Sequence, residues 1–103
     1  MTSPSKRKGN FYEREIVKQA QAMGLNSERA YASNGKSLGL SEEVDVVVNG
    51  VSIQAKRRKV IAKYINIPKN VDIVVVRQDG GESLAVVPFK KILELIRDGK
   101  WEN

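Results

Sequence analysis

The chain has 103 residues, of which 41% are hydrophobic, which suits one small domain with a modest core. It contains no cysteine, which excludes disulfides, thiol catalysis and cysteine-ligated zinc. It also contains no histidine, the commonest general base and metal ligand. Any metal would therefore be bound by oxygen ligands, which favours Mg²⁺ or Mn²⁺. The net charge is +6 and is uneven: residues 1–69 hold 13 Lys and Arg against 6 Asp and Glu, while residues 70–103 hold 5 against 6, which indicates a polyanion bound by the N-terminal two-thirds.

The first predicted element is an amphipathic helix that runs from Gly9 to Gly24, after a flexible basic arm at residues 1–8. Its apolar residues recur at helical spacing: Tyr12, Ile16, Val17, Ala20 and Met23. Glu13 lies at the rim of this stripe. A purely structural interpretation gives it the third position of a capping box, with Asn10 as the cap of the helix.

A β-hairpin is predicted after a short strand at Ser27–Ser33 and a polar loop at Asn34–Leu40. Its strands are Val44–Val48 and Val51–Lys56, and they flank Asn49-Gly50. This dipeptide favours a type I′ turn, because both central residues of that turn need positive φ. The two-residue turn sets Val48 opposite Val51, Asp45 opposite Gln54, Val44 opposite Ala55 and Glu43 opposite Lys56.

The two faces of this hairpin differ, because side chains alternate along a strand. One face is entirely apolar and is expected to pack on the core: Val44, Val46, Val48, Val51, Ile53 and Ala55. The other face brings together Glu43, Asp45, Gln54 and Lys56. An acid, an amide oxygen and an ammonium group therefore converge through the register alone. The alternative is an ordinary solvated surface, on which charge pairs contribute little.

The second half of the chain is predicted to form another hairpin and a closing helix. Val60–Ile65 fits either a short helix or an extended segment. Two strands follow, Asp72–Arg77 and Leu84–Val87, and Pro88 then precedes an amphipathic helix with Phe89, Ile92, Leu93 and Ile96. This order of elements implies a single α+β domain at residues 9–103 with a mixed sheet flanked by helices.

The sequence contains neither an apolar run of membrane-spanning length nor the hydrophobic stretch of a secretory signal peptide. We therefore expect a cytoplasmic protein that has no contact with a membrane.

Three motifs in this order resemble the PD-(D/E)xK nuclease superfamily. They are a helix-borne Glu13 within Arg7-Lys8-Gly9-x-x-x-Glu13-Arg14, an Asp45 at a strand end, and Gln54-x-Lys56 on the next strand. Within that superfamily, the chain is most similar to the archaeal-type Holliday-junction resolvases. The shared features are the Arg-Lys-Gly run, Arg29-Ala30-x-Ala32-Ser33 and Val87-Pro88-Phe89-Lys90-Lys91. The likeness covers residues 6–95 and implies a restriction-endonuclease-like core.

The resemblance implies a metal-dependent, structure-selective DNA endonuclease that resolves four-way (Holliday) junctions by paired phosphodiester hydrolysis. It implies that Mg²⁺ or Mn²⁺ is ligated by Asp45, the side-chain oxygen of Gln54 and the carbonyl of Ala55. Glu13 would hold a second ion or a metal-bound water. The resemblance makes Lys56 the residue that orients or helps to deprotonate the attacking water, or that stabilises the charge building on the phosphorane. It also places Ser33 near the active site, although a hydroxyl that caps a loop is the alternative.

The expected partner is branched or double-stranded DNA. The basic residues expected to contact it are Lys6, Arg7, Lys8, Arg29, Lys36, Arg57, Arg58 and Lys59. A homodimer is also expected, because a junction needs two nicks and the chain carries one candidate site. The interface would use the apolar residues of Val60–Ile67 or of the C-terminal helix.

The chain departs from the superfamily pattern at three places. Gln54 replaces an acidic residue, Val44 replaces a proline, and the segment between Lys56 and Asp72 is shorter than the usual helix. Because of Gln54, the alternative function is a nuclease-fold module that binds DNA with weak or no catalysis. An RNA-binding basic domain is disfavoured, because it would need exposed aromatic residues among its basic ones, and most of the six aromatics are needed for the core.

Overall fold

The computed structural model describes residues 4–30 and 39–102, apart from the side chains of residues 4–6, and it confirms the α+β class. In this part of the chain, no helix is long and apolar enough to cross a membrane. The elements follow in this order: α1 (Pro4–Ala22), β1 (Ser27–Arg29), β2 (Val46–Val48), β3 (Val51–Ile53), a 3₁₀ helix (Lys63–Ile65), β4 (Val74–Val76), β5 (Leu84–Val86) and α2 (Phe89–Arg97).

Helix α1 begins at Pro4, five residues before the predicted start at Gly9, so it includes residues 4–8 of the predicted basic arm. Proline suits the first turn of a helix, where its missing N–H would have no partner, and lysine and arginine are good helix formers. Asn10 consequently lies inside the helix and does not cap its start. The capping-box interpretation of Glu13 is therefore wrong.

The C-terminal end of α1 is organised around Gly24, as predicted. Gly24 has a φ of 79°, and its N–H donates to the carbonyl of Gln21 at 3.0 Å. The N–H of Leu25 donates to the carbonyl of Ala20 at 3.1 Å. This pair of bonds is the Schellman arrangement, which satisfies the last carbonyls of a helix and turns the chain. Leu25 thereby enters the core beside Ala20.

The first sheet has the order β1-β2-β3, and both of its strand pairs are antiparallel. Val48 pairs with Val51 and Val46 with Ile53, which confirms the predicted register close to the turn. Asn49 and Gly50 have φ values of 47° and 81°, which agree with the positive values that a type I′ turn requires.

The main core lies between α1, this sheet and α2. Helix α1 packs on β1 and β2, and α2 adds two buried residues. The buried cluster consists of Ile16, Ala20, Leu25, Val46, Val48, Leu93 and Ile96, with Val51, Ile53 and Ala55 packed against it. The prediction of an inward apolar face on the first hairpin is therefore confirmed.

A second, separate sheet consists of β4 and β5, which are antiparallel. Within the described residues every strand pair is antiparallel, so the predicted mixed sheet is wrong for this part of the chain. For two of the three strand pairs the connection explains the difference, because a parallel pair needs a crossover of about a dozen residues or more. Strands β2 and β3 are joined by a two-residue turn, and β4 and β5 by residues 77–83, whereas the β1–β2 connection, residues 30–45, is long enough for either direction.

Residues 60–101 leave many large apolar side chains exposed: Val60, Ile61, Tyr64, Ile65, Val71, Ile73, Val75, Leu84, Leu95 and Trp101. In the Val60–Ile65 segment only Lys63–Ile65 form a 3₁₀ turn, and residues 60–62 lie outside any helix, so the predicted short helix is found only in the second half of the segment. A two-stranded sheet has marginal stability by itself. Many of the apolar side chains around β4 and β5 thus lie outside the main core.

Candidate functional site

Glu13 is held inside the protein by an ion pair with Arg29. Its residue exposure is 5%, and α1 places it against β1, which ends at Arg29. The guanidinium of Arg29 donates to Glu13 Oε1 from Nε at 3.2 Å and from Nη2 at 3.1 Å. Nη2 also donates to Asn10 Oδ1 at 3.1 Å. Asn10 and Glu13 can share one guanidinium because residues three apart lie on the same side of a helix.

Asp45 lies directly before β2 and is half-buried. Its N–H donates to the carbonyl of Ile53 at 2.9 Å, although the register pairs Ile53 with Val46. Two residues of one strand thus lie opposite one residue of the other, which is the pattern of a β-bulge. On the opposite side, the Asp45 carbonyl accepts the N–H of Ala30 at 2.9 Å.

The carboxylate of Asp45 accepts the backbone N–H of Ala55, with 2.7 Å between Oδ2 and N. In a regular ladder this N–H would bond to the carbonyl of Val44, so the side chain has taken the place of a backbone acceptor. The strands accordingly end at Val46 and Ile53. The predicted pairs beyond that point are not formed as ladder pairs: Asp45 with Gln54, Val44 with Ala55, and Glu43 with Lys56.

The structure nevertheless brings Asp45 to the segment that the sequence indicated. Ala55 is bonded to the Asp45 carboxylate, and its neighbours Gln54 and Lys56 are both exposed. Glu13 is connected to the same region through β1, because Arg29 binds Glu13 and the next residue binds the backbone of Asp45. Asp45 and Ala55 are therefore in direct contact, and Gln54 and Lys56 are the chain neighbours of Ala55. Glu13 is linked to them through β1.

The predicted DNA-contacting residues fall into several groups. Exposed side chains belong to Arg7, Arg57, Arg58 and Lys59, and Lys8 is half-buried. Arg29 differs from them, because its guanidinium is already bonded to Glu13 and Asn10. Lys6 lies in α1, but its side chain is outside the described part, as are Ser33 and Lys36 in the 31–38 gap.

The oxygen donors of this region suit a hard divalent cation. Mg²⁺ is bound by one or two carboxylates together with neutral oxygens and water, and Asp45, Gln54 and the Ala55 carbonyl offer such a set. Residues 4–30 and 39–102 contain no group of three or more acidic, histidine or cysteine side chains that could hold a metal. The Arg29 cation compensates the charge of Glu13, which lowers its attraction for a metal ion. Asp45 is consequently the stronger candidate ligand.

Asn10 is a site residue that the sequence analysis assigned to the wrong role. Its position three residues before Glu13 was a usable signal, because this spacing places the two side chains together on a helix. A helix that begins near Gly9 would make Asn10 its cap. With α1 starting at Pro4, the same spacing makes Asn10 a second acceptor for Arg29.

Comparisons of the chain with protein-family models, with curated proteins and with solved structures found no match. The nuclease resemblance therefore rests on the short sequence motifs of this chain alone.

Proposed function

We propose that the protein is a metal-dependent DNA endonuclease with a restriction-endonuclease-like core, which cuts branched DNA such as four-way junctions. The observation that carries this proposal is the position of Asp45. Its carboxylate accepts the backbone N–H of Ala55, whose two neighbours in the chain, Gln54 and Lys56, are both exposed. An acid, an amide oxygen and an ammonium group on adjoining segments are the groups that metal-assisted phosphodiester hydrolysis needs.

Each of these residues has a distinct role in the proposed site. Asp45, the side-chain oxygen of Gln54 and the carbonyl of Ala55 would hold Mg²⁺ or Mn²⁺. Such an ion neutralises phosphate charge and acidifies a bound water. Lys56 is exposed at the end of the same segment, where its ammonium group can orient the attacking water or stabilise charge on the phosphate.

Glu13 has a secondary role in the proposal. It is buried, and Arg29 fixes its carboxylate through two hydrogen bonds. A carboxylate with fixed orientation can accept a hydrogen bond from a metal-bound water, whereas binding a second ion directly would require it to compete with the guanidinium.

DNA binding is supported by the distribution of charge. The exposed basic residues next to the proposed site are Lys56, Arg57, Arg58 and Lys59, and Arg7 is exposed near the start of α1. Contacts between such residues and phosphates supply most of the non-specific affinity for DNA. The chain has a net charge of +6, which has the sign that such binding requires.

The proposed active form is a homodimer, because resolving a junction takes two nicks and each chain carries one site. The exposed apolar side chains of residues 60–101 support this part of the proposal. Surfaces of this kind on a small protein mark interaction sites.

A module that binds DNA without cutting it is the second candidate. Two observations favour it: Gln54 supplies no charge for a metal, and the charge of Glu13 is compensated by Arg29. Both features weaken the attraction for Mg²⁺. The two candidates differ in cleavage and agree in binding.

The deciding experiment incubates the purified protein with a synthetic four-way junction or a linear duplex of the same sequence, with Mg²⁺, Mn²⁺ or a chelator. We expect symmetric paired nicks in the junction alone, and only with metal. Asp45→Asn and Lys56→Ala should nearly abolish cleavage but retain binding in Ca²⁺, because binding rests on many phosphate contacts. The controls are Asp72→Asn and Lys69→Ala, which make the same chemical changes at exposed positions outside the proposed site and outside the 60–67 segment.

Two results would count against the proposal. If the Asp45 and Lys56 variants cut at rates close to that of the unmodified protein, these residues do not form the site. If the unmodified protein binds the junction but makes no nick with either metal, the binding module is the correct function.

A further inference from the structure

The outward side of α1 carries an exposed aromatic ring in basic surroundings. Phe11 is 63% exposed, whereas the next residue, Tyr12, packs against the core. The ring borders a groove that is lined by Phe11, Tyr12, Arg14, Glu15, Lys18 and Arg57. The core does not use this ring, and Tyr64 and Trp101 are exposed as well, so the expectation that most aromatic residues are needed for the core is wrong for the described residues. The aromatic residues therefore no longer count against an RNA ligand, and the exposed ring of Phe11 can contact a base.

The charges around Phe11 follow from the helix and from its neighbour in space. Arg14 and Lys18 lie three and seven residues after Phe11, and Arg7 lies four residues before it, so all three share its side of α1. Arg57 reaches the same groove from the segment after β3. Glu15 is the one acidic residue among the six that line the groove. The groove therefore has a positive potential and one exposed aromatic face.

We propose that this groove binds an unpaired nucleotide of a DNA strand, with the base stacked on Phe11 and the adjoining phosphates on Arg14, Lys18 and Arg57. Basic grooves with exposed aromatic rings are the common solution for binding single strands, because every base offers a π face and every linkage a phosphate. In an intact duplex the bases already stack on one another, so a surface ring gains little. Binding to phosphates alone would not select an unpaired base.

The proposal deepens the proposed function and rests on it only in taking DNA as the ligand. It makes DNA with unpaired nucleotides, such as a flap or an opened branch point, the preferred form of substrate. The groove includes Arg57, which directly follows Lys56 of the proposed catalytic segment. A strand held in the groove would thus run close to that segment.

The chain offers a matched control in Tyr64. This residue is also aromatic and is 66% exposed, but its groove is lined by Val76, Arg77, Gln78 and Leu84, with a single basic residue. If any exposed aromatic ring sufficed, the two positions would behave alike. If the basic groove is required, Phe11 will contribute to DNA binding and Tyr64 will not.

The test is fluorescence anisotropy with a labelled single strand and with the corresponding duplex, both in chelator so that no cleavage can occur. Phe11→Ala should weaken single-strand binding roughly 5- to 150-fold, which corresponds to the loss of one stacked base. Duplex binding should change less than about threefold, and Tyr64→Ala should not change the ratio of the single-strand affinity to the duplex affinity. Phe11→Trp should retain or raise single-strand affinity, because a larger ring still stacks.

The basic residues have their own signature in the same assay. Arg14→Ala should lower the salt dependence of single-strand binding by about 0.7 in the slope of log affinity against log salt, as expected for one lost phosphate contact. The proposal is overturned if Phe11→Ala binds the single strand as tightly as the unmodified protein does. It is also overturned if Phe11→Ala weakens single strand and duplex equally, which would indicate altered folding or a plain phosphate surface. A protein that binds in this way but cuts nothing would refute only the catalytic proposal.

Discussion

The ion pair between Glu13 and Arg29 should be a measurable contribution to stability. Arg29→Met keeps much of the length of the side chain but removes the charge and the hydrogen bonds to Glu13 and Asn10. The side chain of Glu13 is 7% exposed and that of Arg29 is 25% exposed. The substitution therefore leaves a carboxylate in the protein interior without the guanidinium that now compensates its charge.

The magnitude follows from these exposures. Removing one partner of a fully buried pair costs about 3–5 kcal/mol, because the remaining charge has lost both water and its counter-charge. Water reaches a quarter of the Arg29 side chain, so the pair is partly screened, and we expect a loss of about 2–3 kcal/mol. In a domain of this size each kcal/mol lowers the melting temperature by about 4–8 °C.

A double-mutant cycle separates the pair from other effects of each substitution. The variants are Glu13→Gln, Arg29→Met and the two combined, and urea unfolding followed by circular dichroism measures the free energy of each. We expect the combined variant to lose less than the sum of the single losses, with a coupling of about 1–2 kcal/mol. Arg14→Met is the control, because this exposed arginine should change the stability by less than about 0.5 kcal/mol.

If the free energy of unfolding of Arg29→Met lies within about 0.5 kcal/mol of that of the unmodified protein, the pair contributes no more than a solvent-exposed pair and the prediction is wrong. The prediction is also wrong if the two single losses simply add, because the contacts between the two side chains would then contribute nothing to stability.

Three further predictions concern the metal, the assembly and the backbone. Gln54→Glu should lower the Mg²⁺ concentration needed for cleavage, because a carboxylate attracts the ion more strongly than an amide does. Gln54→Leu should cut poorly, and a leucine variant as active as the unmodified protein would exclude this side chain as a ligand. Light scattering should show a dimer, and Val60→Lys should weaken it if the 60–67 segment forms the interface; a monomer both free and on junction DNA would contradict the dimer. Gly24→Ala should destabilise the protein by about 1–2 kcal/mol, because the φ of Gly24 is 79°. Gly9→Ala should stabilise it by about 1 kcal/mol, because Gly9 lies inside α1 and alanine is the better helix former. If urea unfolding gives free-energy changes of the same sign for both variants, this account is wrong.

The sequence by itself determined the features that depend on neighbours along the chain. The turn at Asn49-Gly50 and the pairing of Val46 with Ile53 follow from local turn geometry and from the alternation of side chains. The termination of α1 just before Gly24 follows from the same kind of local rule. Period, turn type and capping act over a few residues, so they can be read before the fold is known.

Only the tertiary structure decided how distant residues satisfy one another. At Asp45 the carboxylate binds the N–H of Ala55, ten residues away, where a regular ladder would have a backbone acceptor. Glu13 meets Arg29 across sixteen residues because α1 packs on β1. Phe11 and Arg57 line one groove because the segment after β3 lies beside α1. These contacts depend on where the elements pack, and a polar side chain takes whichever partner that packing brings within hydrogen-bonding distance.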